Sequence, residues 1–108
     1  MLVAPKISPG GEVSTFATGF NTILGLVFDD DDNLYVLENT TGAPMPTPGT
    51  GKVLRISESG KITEIAAGLF LPTGITYGPD GNLYVSNVAF GPPPIGLGQI
   101  LKITLLEN

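Results

Sequence analysis

The chain has neither cysteine nor histidine among its 108 residues. That excludes thiol nucleophiles, Ser-His-Asp catalysis, zinc-finger sites and imidazole acid–base chemistry. Without cysteine the redox compartment stays open, because nothing in the chain needs oxidising. Basic residues are also scarce, five Lys and Arg against ten Asp and Glu. They form no basic patch, so nucleic acid is not expected as a partner. No apolar run approaches the ~18–20 residues that cross a bilayer, so no membrane span is expected. The start, MLVAPKISPGG, has no apolar h-region and no signal peptide is read there.

What is present describes a folded chain rich in turns. Hydrophobic residues make up 42%, mean hydropathy is +0.28, and Gly and Pro number 15 and 10. The length allows one ordinary domain at most. The net charge of −5 is concentrated in one place, since four of the ten acids are the consecutive Asp29, Asp30, Asp31 and Asp32. Asp29, Asp31 and Asn33 alternate like the first ligands of an EF-hand loop. The rest of that pattern is missing: Leu34 stands where the loop needs Gly, and Thr40 where it needs a bidentate Glu.

The acidic run is explained by an internal repeat. Residues 11–38, GEVSTFATGFNTILGLVFDDDDNLYVLE, align without a gap on 60–87, GKITEIAAGLFLPTGITYGPDGNLYVSN, with nine of 28 positions identical. At offset 47 the match resumes, GKVLRI (51–56) on GQILKI (98–103). A period of 47–49 residues lies in the range of propeller blades. The complete copy holds four apolar runs: 23–28, 33–39, 52–57 and 61–67. Each suits a short strand, and no helical period appears. Leu34 and Val36 point one way and Tyr35 and Leu37 the other, so the second strand should be covered on both faces. Lys61, Thr63 and Glu64 mark the fourth as an outer edge. The expected fold is therefore all-β: about two four-stranded antiparallel blades, one third of a six-bladed propeller. The expected organisation is an outer strand at 11–17, a complete blade at 23–67 and three strands of a further blade within 75–104, eight strands in all. FDDDDN falls on YGPDGN (77–82), where Pro-Asp-Gly is a turn signal with a mechanism. The four aspartates are accordingly expected to form an exposed, dispensable hairpin tip.

GLVFDDDDNLYVLE and GITYGPDGNLYVSN resemble the repeat of NHL-like and SMP-30/lactonase-like six-bladed propellers. With SPGGEVSTFATGF, PMPTPGTGKVLRI, LPTGITYGPDGNLYVSN and FGPPPIGLGQILKI around them, nearly the whole chain is similar to the C-terminal part of the ScyD/ScyE family. That family is named for cyanobacterial scytonemin biosynthesis. The resemblance implies a six-bladed fold, a periplasmic or secreted location and a non-catalytic binding or scaffolding role. The alternatives are a lactonase-like metal-dependent hydrolase and an accessory protein of scytonemin-like pigment formation. It places the functional face at the loops after the second and fourth strands: 19–24, 39–51, 68–73 and 88–98. Candidates there are Glu38, Asn39, Met45, Phe70, Asn87 and Phe90. In lactonase-like relatives such acidic and amide groups hold a divalent metal, which makes Glu38 and Asn87 candidate calcium ligands. The competing reading is that they cap strand ends by bonding loop amides. Two blades of six imply either self-association as a homotrimer, with strand 11–17 completing a neighbour's last blade, or the remaining blades of a longer chain.

Overall fold

The computed structural model describes residues 2–7, 9–41, 47–87 and 98–106, and among these there is no helix. Nine strands follow one another: β1 (Leu2–Ile7), β2 (Val13–Phe20), β3 (Ile23–Phe28), β4 (Leu34–Glu38), β5 (Gly51–Ile56), β6 (Ile62–Leu69), β7 (Gly74–Tyr77), β8 (Leu83–Asn87) and β9 (Gln99–Ile103). They form three antiparallel sheets in sequence order. Sheet A is β1-β2, sheet B is β3-β4-β5-β6 and sheet C is β7-β8-β9. Lys61, Thr63 and Glu64 lie on or beside β6, the outer strand of sheet B, where polar side chains reach water.

One expectation is corrected. Strand 11–17 does not stand alone, because β2 pairs with β1 along its length. The repeat simply begins earlier than Gly11. Lys6, Ile7 and Ser8 fall at offset 49 on Arg55, Ile56 and Ser57. The β1-β2 hairpin reproduces β5-β6 pair by pair: Ile7↔Val13 matches Ile56↔Ile62, Ala4↔Ala17 matches Val53↔Ala66, and Leu2↔Phe20 matches Gly51↔Leu69. Both register shifts recur at equivalent places. The described strands thus count 2 + 4 + 3 = 9, not eight. Two whole blades per chain would need eight strands, and the described residues already hold nine.

The sheets stack through matching faces. In sheet B, Leu26 pairs with Val36 and Val36 with Leu54, while Phe28 pairs with Leu34 and Leu34 with Ile56, which puts these six on one face. Phe20 and Ala17 of sheet A pack on that face against Leu34, Val36, Leu54 and Ile56. The other face carries Val27, Tyr35, Leu37 and Val53. It packs against Ile75, Tyr77, Leu83, Val85, Leu101 and Ile103 of sheet C. Ile75, Tyr77, Leu83 and Val85 are the offset-49 equivalents of Leu26, Phe28, Leu34 and Val36. Each sheet therefore turns the same face towards the sheet before it. β4 is central in both senses, and all five of its residues are buried. Close approach of β3 to β7 requires Gly25: a Cβ there would sit 2.9 Å from Ile75 Cγ2.

Val36 and Val85 occupy equivalent, fully buried positions on those faces. Val36→Ala and Val85→Ala should each lower unfolding free energy by roughly 1–3 kcal/mol, from lost burial plus a residual cavity. Urea denaturation monitored by circular dichroism measures this, and near-neutral results at both sites would contradict the stacked arrangement.

Candidate functional site

The polar residues expected at the loop end are wired into the backbone. Glu38 closes β4 and Asn87 closes β8, one repeat apart. Glu38 Oε2 accepts from the Asn21 amide at 2.7 Å, and Asn87 Oδ1 accepts from the Phe70 amide at 2.9 Å. Asn21 and Phe70 are themselves repeat equivalents, each directly following the outer strand of the preceding sheet. There the chain reverses through Thr22 and Leu71, both with positive φ. The reversal turns an amide away from its own ladder, and the carboxylate or carboxamide of the next sheet satisfies it. Asn87 Nδ2 also donates to Gln99 Oε1 at 2.9 Å. Asn39 donates through Nδ2 to the Pro72 carbonyl at 2.8 Å, and through its backbone N–H to the Thr22 carbonyl at 3.0 Å. Glu38, Asn39 and Asn87 are all buried. Phe70 is 43% exposed. Met45 and Phe90 lie outside the described residues.

Sequence reasoning overlooked a threonine clasp at the base of the 39–51 loop. Thr40 and Thr50 share a hydroxyl contact at 3.1 Å, and the Thr47 amide donates to Thr40 Oγ1 at 2.9 Å. The Thr41 hydroxyl donates to the Thr50 carbonyl at 2.8 Å. Four threonines in NTTGAPMPTPGTG were the available signal, since short hydroxyl side chains close turns by bonding nearby backbone.

At the opposite end, the two hairpin tips flank a cleft of about 410 Å³ whose lining includes Asp29, Asp31, Tyr35, Arg55, Tyr77 and Asp80. FDDDDN is a hairpin turn, as its register with YGPDGN implied. The backbone pattern repeats: the Asp29 amide donates to the Asn33 carbonyl, and the Gly78 amide to that of Asn82. The side chains do not share one role. Asp30, Asp31 and Asp32 are exposed, but Asp29 is half-buried and organises the turn. Its carboxylate accepts from the Asp31 amide at 2.8 Å, the Asn33 amide at 3.0 Å, Asn33 Nδ2 at 2.9 Å and the Tyr35 hydroxyl at 2.9 Å. The expectation that all four aspartates are exposed is therefore corrected at Asp29. The second copy has Gly78 at that place, and there Asp80 takes the tyrosine, accepting from the Tyr84 hydroxyl. That bond, together with the Asn82 amide and Lys102, holds Asp80 down at about 2. Burial pulls the Asp29 carboxyl upward, but its hydrogen bonds from Asn33, Tyr35 and Asp31 outweigh this and lower it overall.

These roles separate two variants. Asp29→Ala strips the acceptor from four donors and should cost roughly 1–3 kcal/mol. Asp32 has φ of 64°, where the second copy places Gly81 at 81°. Asp32→Gly should therefore stabilise by about 0.5–1 kcal/mol, since glycine adopts that backbone without strain. Denaturant midpoints report both. Because the folded carboxyl is lowered, Asp29 contributes fully above the ordinary value of 3.8, and its contribution fades as pH falls below it. The gap between wild type and Asp29→Ala should close over that acidic range.

Chemically, the loop end offers amide-satisfying caps and the tips offer carboxylates engaged by tyrosines. Among the described residues no group of three or more His, Cys, Asp or Glu is arranged to hold a metal ion, and no helix is long and apolar enough to cross a membrane. Compared with protein-family models, curated proteins and solved structures, the chain matches none.

Proposed function

We propose that the chain is a non-catalytic β-propeller module of the ScyD/ScyE type, working outside the cytoplasm and binding or scaffolding through its Pro/Gly-rich loop end. The observation that carries this reading is the recurrence of architecture at offset 49. Hairpin register, both bulges, the strand-end cap and the stacking face all repeat. Stacked like sheets present loops in series, which is how repeat proteins build extended binding surfaces. The export and the family role rest on the sequence resemblance.

Glu38 and Asn87 as calcium ligands of a hydrolase are the competing proposal. Their engagement with the Asn21 and Phe70 amides favours the cap role instead. Calorimetric titration with calcium, alongside hydrolysis assays on simple aliphatic lactones, decides between them. The scaffold reading expects neither binding heat nor turnover. Calcium-dependent lactone hydrolysis that disappears in Glu38→Gln would overturn it.

A further inference from the structure

The tip of the β7-β8 hairpin carries a backbone chemistry that its copy lacks. Asp80-Gly81 is the one Asp-Gly pair in the chain, and there is no Asn-Gly pair. Glycine after an aspartate leaves the next backbone nitrogen with no Cβ beside it, so that nitrogen can close on the aspartate's own carboxyl carbon. In the first copy Asp31 stands at the place of Asp80, but Asp32 follows it, and a side chain there crowds the same approach. Asp80 is exposed, and so is Asp31, although sheet B is packed on both faces. Exposure is thus a property of the tip, not of an uncovered sheet face. Three groups hold the Asp80 carboxylate. The Tyr84 hydroxyl donates to it, the Asn82 amide donates at 3.2 Å, and Lys102 Nζ lies 3.5 Å away. The Gly81 amide is engaged as well, donating to the Gly78 carbonyl at 3.0 Å. Asp29, Asp31, Arg55 and Tyr77 line the same cleft as Asp80.

We propose that Asp80-Gly81 is a site of spontaneous isoaspartate formation, held latent in the folded chain by the Tyr84 hydroxyl and Lys102. The Gly81 nitrogen, its proton lost to solvent, attacks Cγ of the protonated Asp80 carboxyl. A C–N bond forms, and the carboxyl hydroxyl takes up a proton and departs as water, leaving a cyclic succinimide. Water then adds to the ring. Opening at the bond to Cγ restores aspartate. Opening at the bond to the Asp80 carbonyl carbon leaves the chain running through Cγ, with a free α-carboxylate. The water released in the first step balances the water consumed in the second, so no co-reactant is needed. The carboxylate is a poor electrophile, because it has no hydroxyl to lose. A hydroxyl donor and an ammonium group both favour that charged form, and with the Asn82 amide they hold Asp80 down at about 2. The bond to Gly78 restrains the nucleophile in turn. Tyr84 and Lys102 are positioning residues here, since they act only through the reacting carboxyl. The inference stands apart from the binding role proposed above and survives its failure.

The test incubates the full chain at neutral pH and physiological temperature. Isoaspartate is read by labelling with an isoaspartate-specific carboxyl methyltransferase and placed by peptide mapping with electron-transfer fragmentation. It should accumulate at Asp80 before any of Asp29, Asp30, Asp31 or Asp32. Tyr84→Phe should raise the folded rate roughly three- to ten-fold, since each pKa unit regained multiplies the protonated carboxyl by about ten. Lys102→Met should raise it less. In urea, where the turn is gone, wild type and Tyr84→Phe should react at the same rate. Circular dichroism confirms that both variants fold. An NMR titration separates the hydroxyl's action from simple loosening of the turn: the Asp80 carboxyl should titrate higher in Tyr84→Phe. Isoaspartate appearing first within the Asp29–Asp32 run, or a folded Tyr84→Phe chain that reacts no faster than wild type, would overturn the proposal. So would a faster rate with an unmoved Asp80 titration, or one that persists in urea.

Discussion

Tyr35→Ala should destabilise the protein by roughly 3–5 kcal/mol, the range for emptying a large buried aromatic site. Tyr35 is 1% exposed and, among the described residues, the largest fully buried side chain. Its ring lies in the cluster joining sheets B and C, among Leu37, Val53, Leu83 and Val85. Its hydroxyl reaches Asp29 in the turn. The substitution therefore opens a cavity between two sheets and removes a donor from the tip at once. Tyr35→Phe separates these effects, keeping the ring and costing about 1 kcal/mol for the hydrogen bond. Alkali gives an independent check. Burial first, and then Asp29, push the Tyr35 phenol up to about 12. Because the folded value is raised, its contribution is complete below the ordinary 10.0 and is lost as pH climbs towards about 12. Tyr35→Phe should lack that part of the alkaline loss. Denaturation curves at neutral and alkaline pH read all three expectations, and a Phe variant that tracks wild type into alkali would contradict the assignment.

Gly51→Ala is expected to cost about 1–3 kcal/mol or more, although it adds a single methyl group. Gly51 opens β5 beneath the segment that leads into sheet C. A Cβ there would lie 2.6 Å from Pro72 Cδ, 2.9 Å from Pro72 Cγ and 3.0 Å from the Leu69 carbonyl oxygen. None of these atoms can step aside cheaply. Pro72 is fully buried, its ring is rigid, and its carbonyl is tied to Asn39. The carbonyl of Leu69 belongs to the strand that pairs with Gly51. Gly10→Ala is the control. It has open space around the added Cβ and should stay within about 0.5 kcal/mol of wild type. Thermal melts of the two alanine variants compare them directly, and equal midpoints would show that the approach of Pro72 to Gly51 is not tight.

Much of the architecture was legible because the chain states it twice. NLYV in both copies marks central strands, and YGPDGN reads as a turn whose register passes to FDDDDN. Asp29 was not legible, because its counterpart is Gly78, and the tyrosine it serves is served by a different position, Asp80, in the other copy. β1 lies before the stretch 11–38 that aligns on 60–87, so the repeat does not mark it as directly as the other strands. Pro5 also interrupts the apolar pattern, although Lys6, Ile7 and Ser8 already carried the offset. The exposure of Leu26 and Phe28 could not be read from periodicity. Alternation says that a strand has two apolar faces, whereas coverage depends on which sheet lies beyond it. At the candidate site, residue type placed Glu38 and Asn87 at matching strand ends. Their partners, the amides of Asn21 and Phe70, became visible only in three dimensions, since the bonds span 17 residues.

The strand-end caps have a consequence for how the molecule comes apart. Glu38, at the end of β4, fastens sheet B to the segment leaving sheet A, Asn87 fastens sheet C to the segment leaving sheet B, and Asn39 reaches forward to Pro72. Fraying of any one sheet would strand a buried carboxylate or carboxamide belonging to its neighbour, at the cost of a desolvated polar group without a partner. Partial opening is thereby penalised at each sheet boundary. A linear array held only by nearest-neighbour apolar contact can peel from its ends. These cross-boundary tethers instead push the three sheets towards melting as a single cooperative unit.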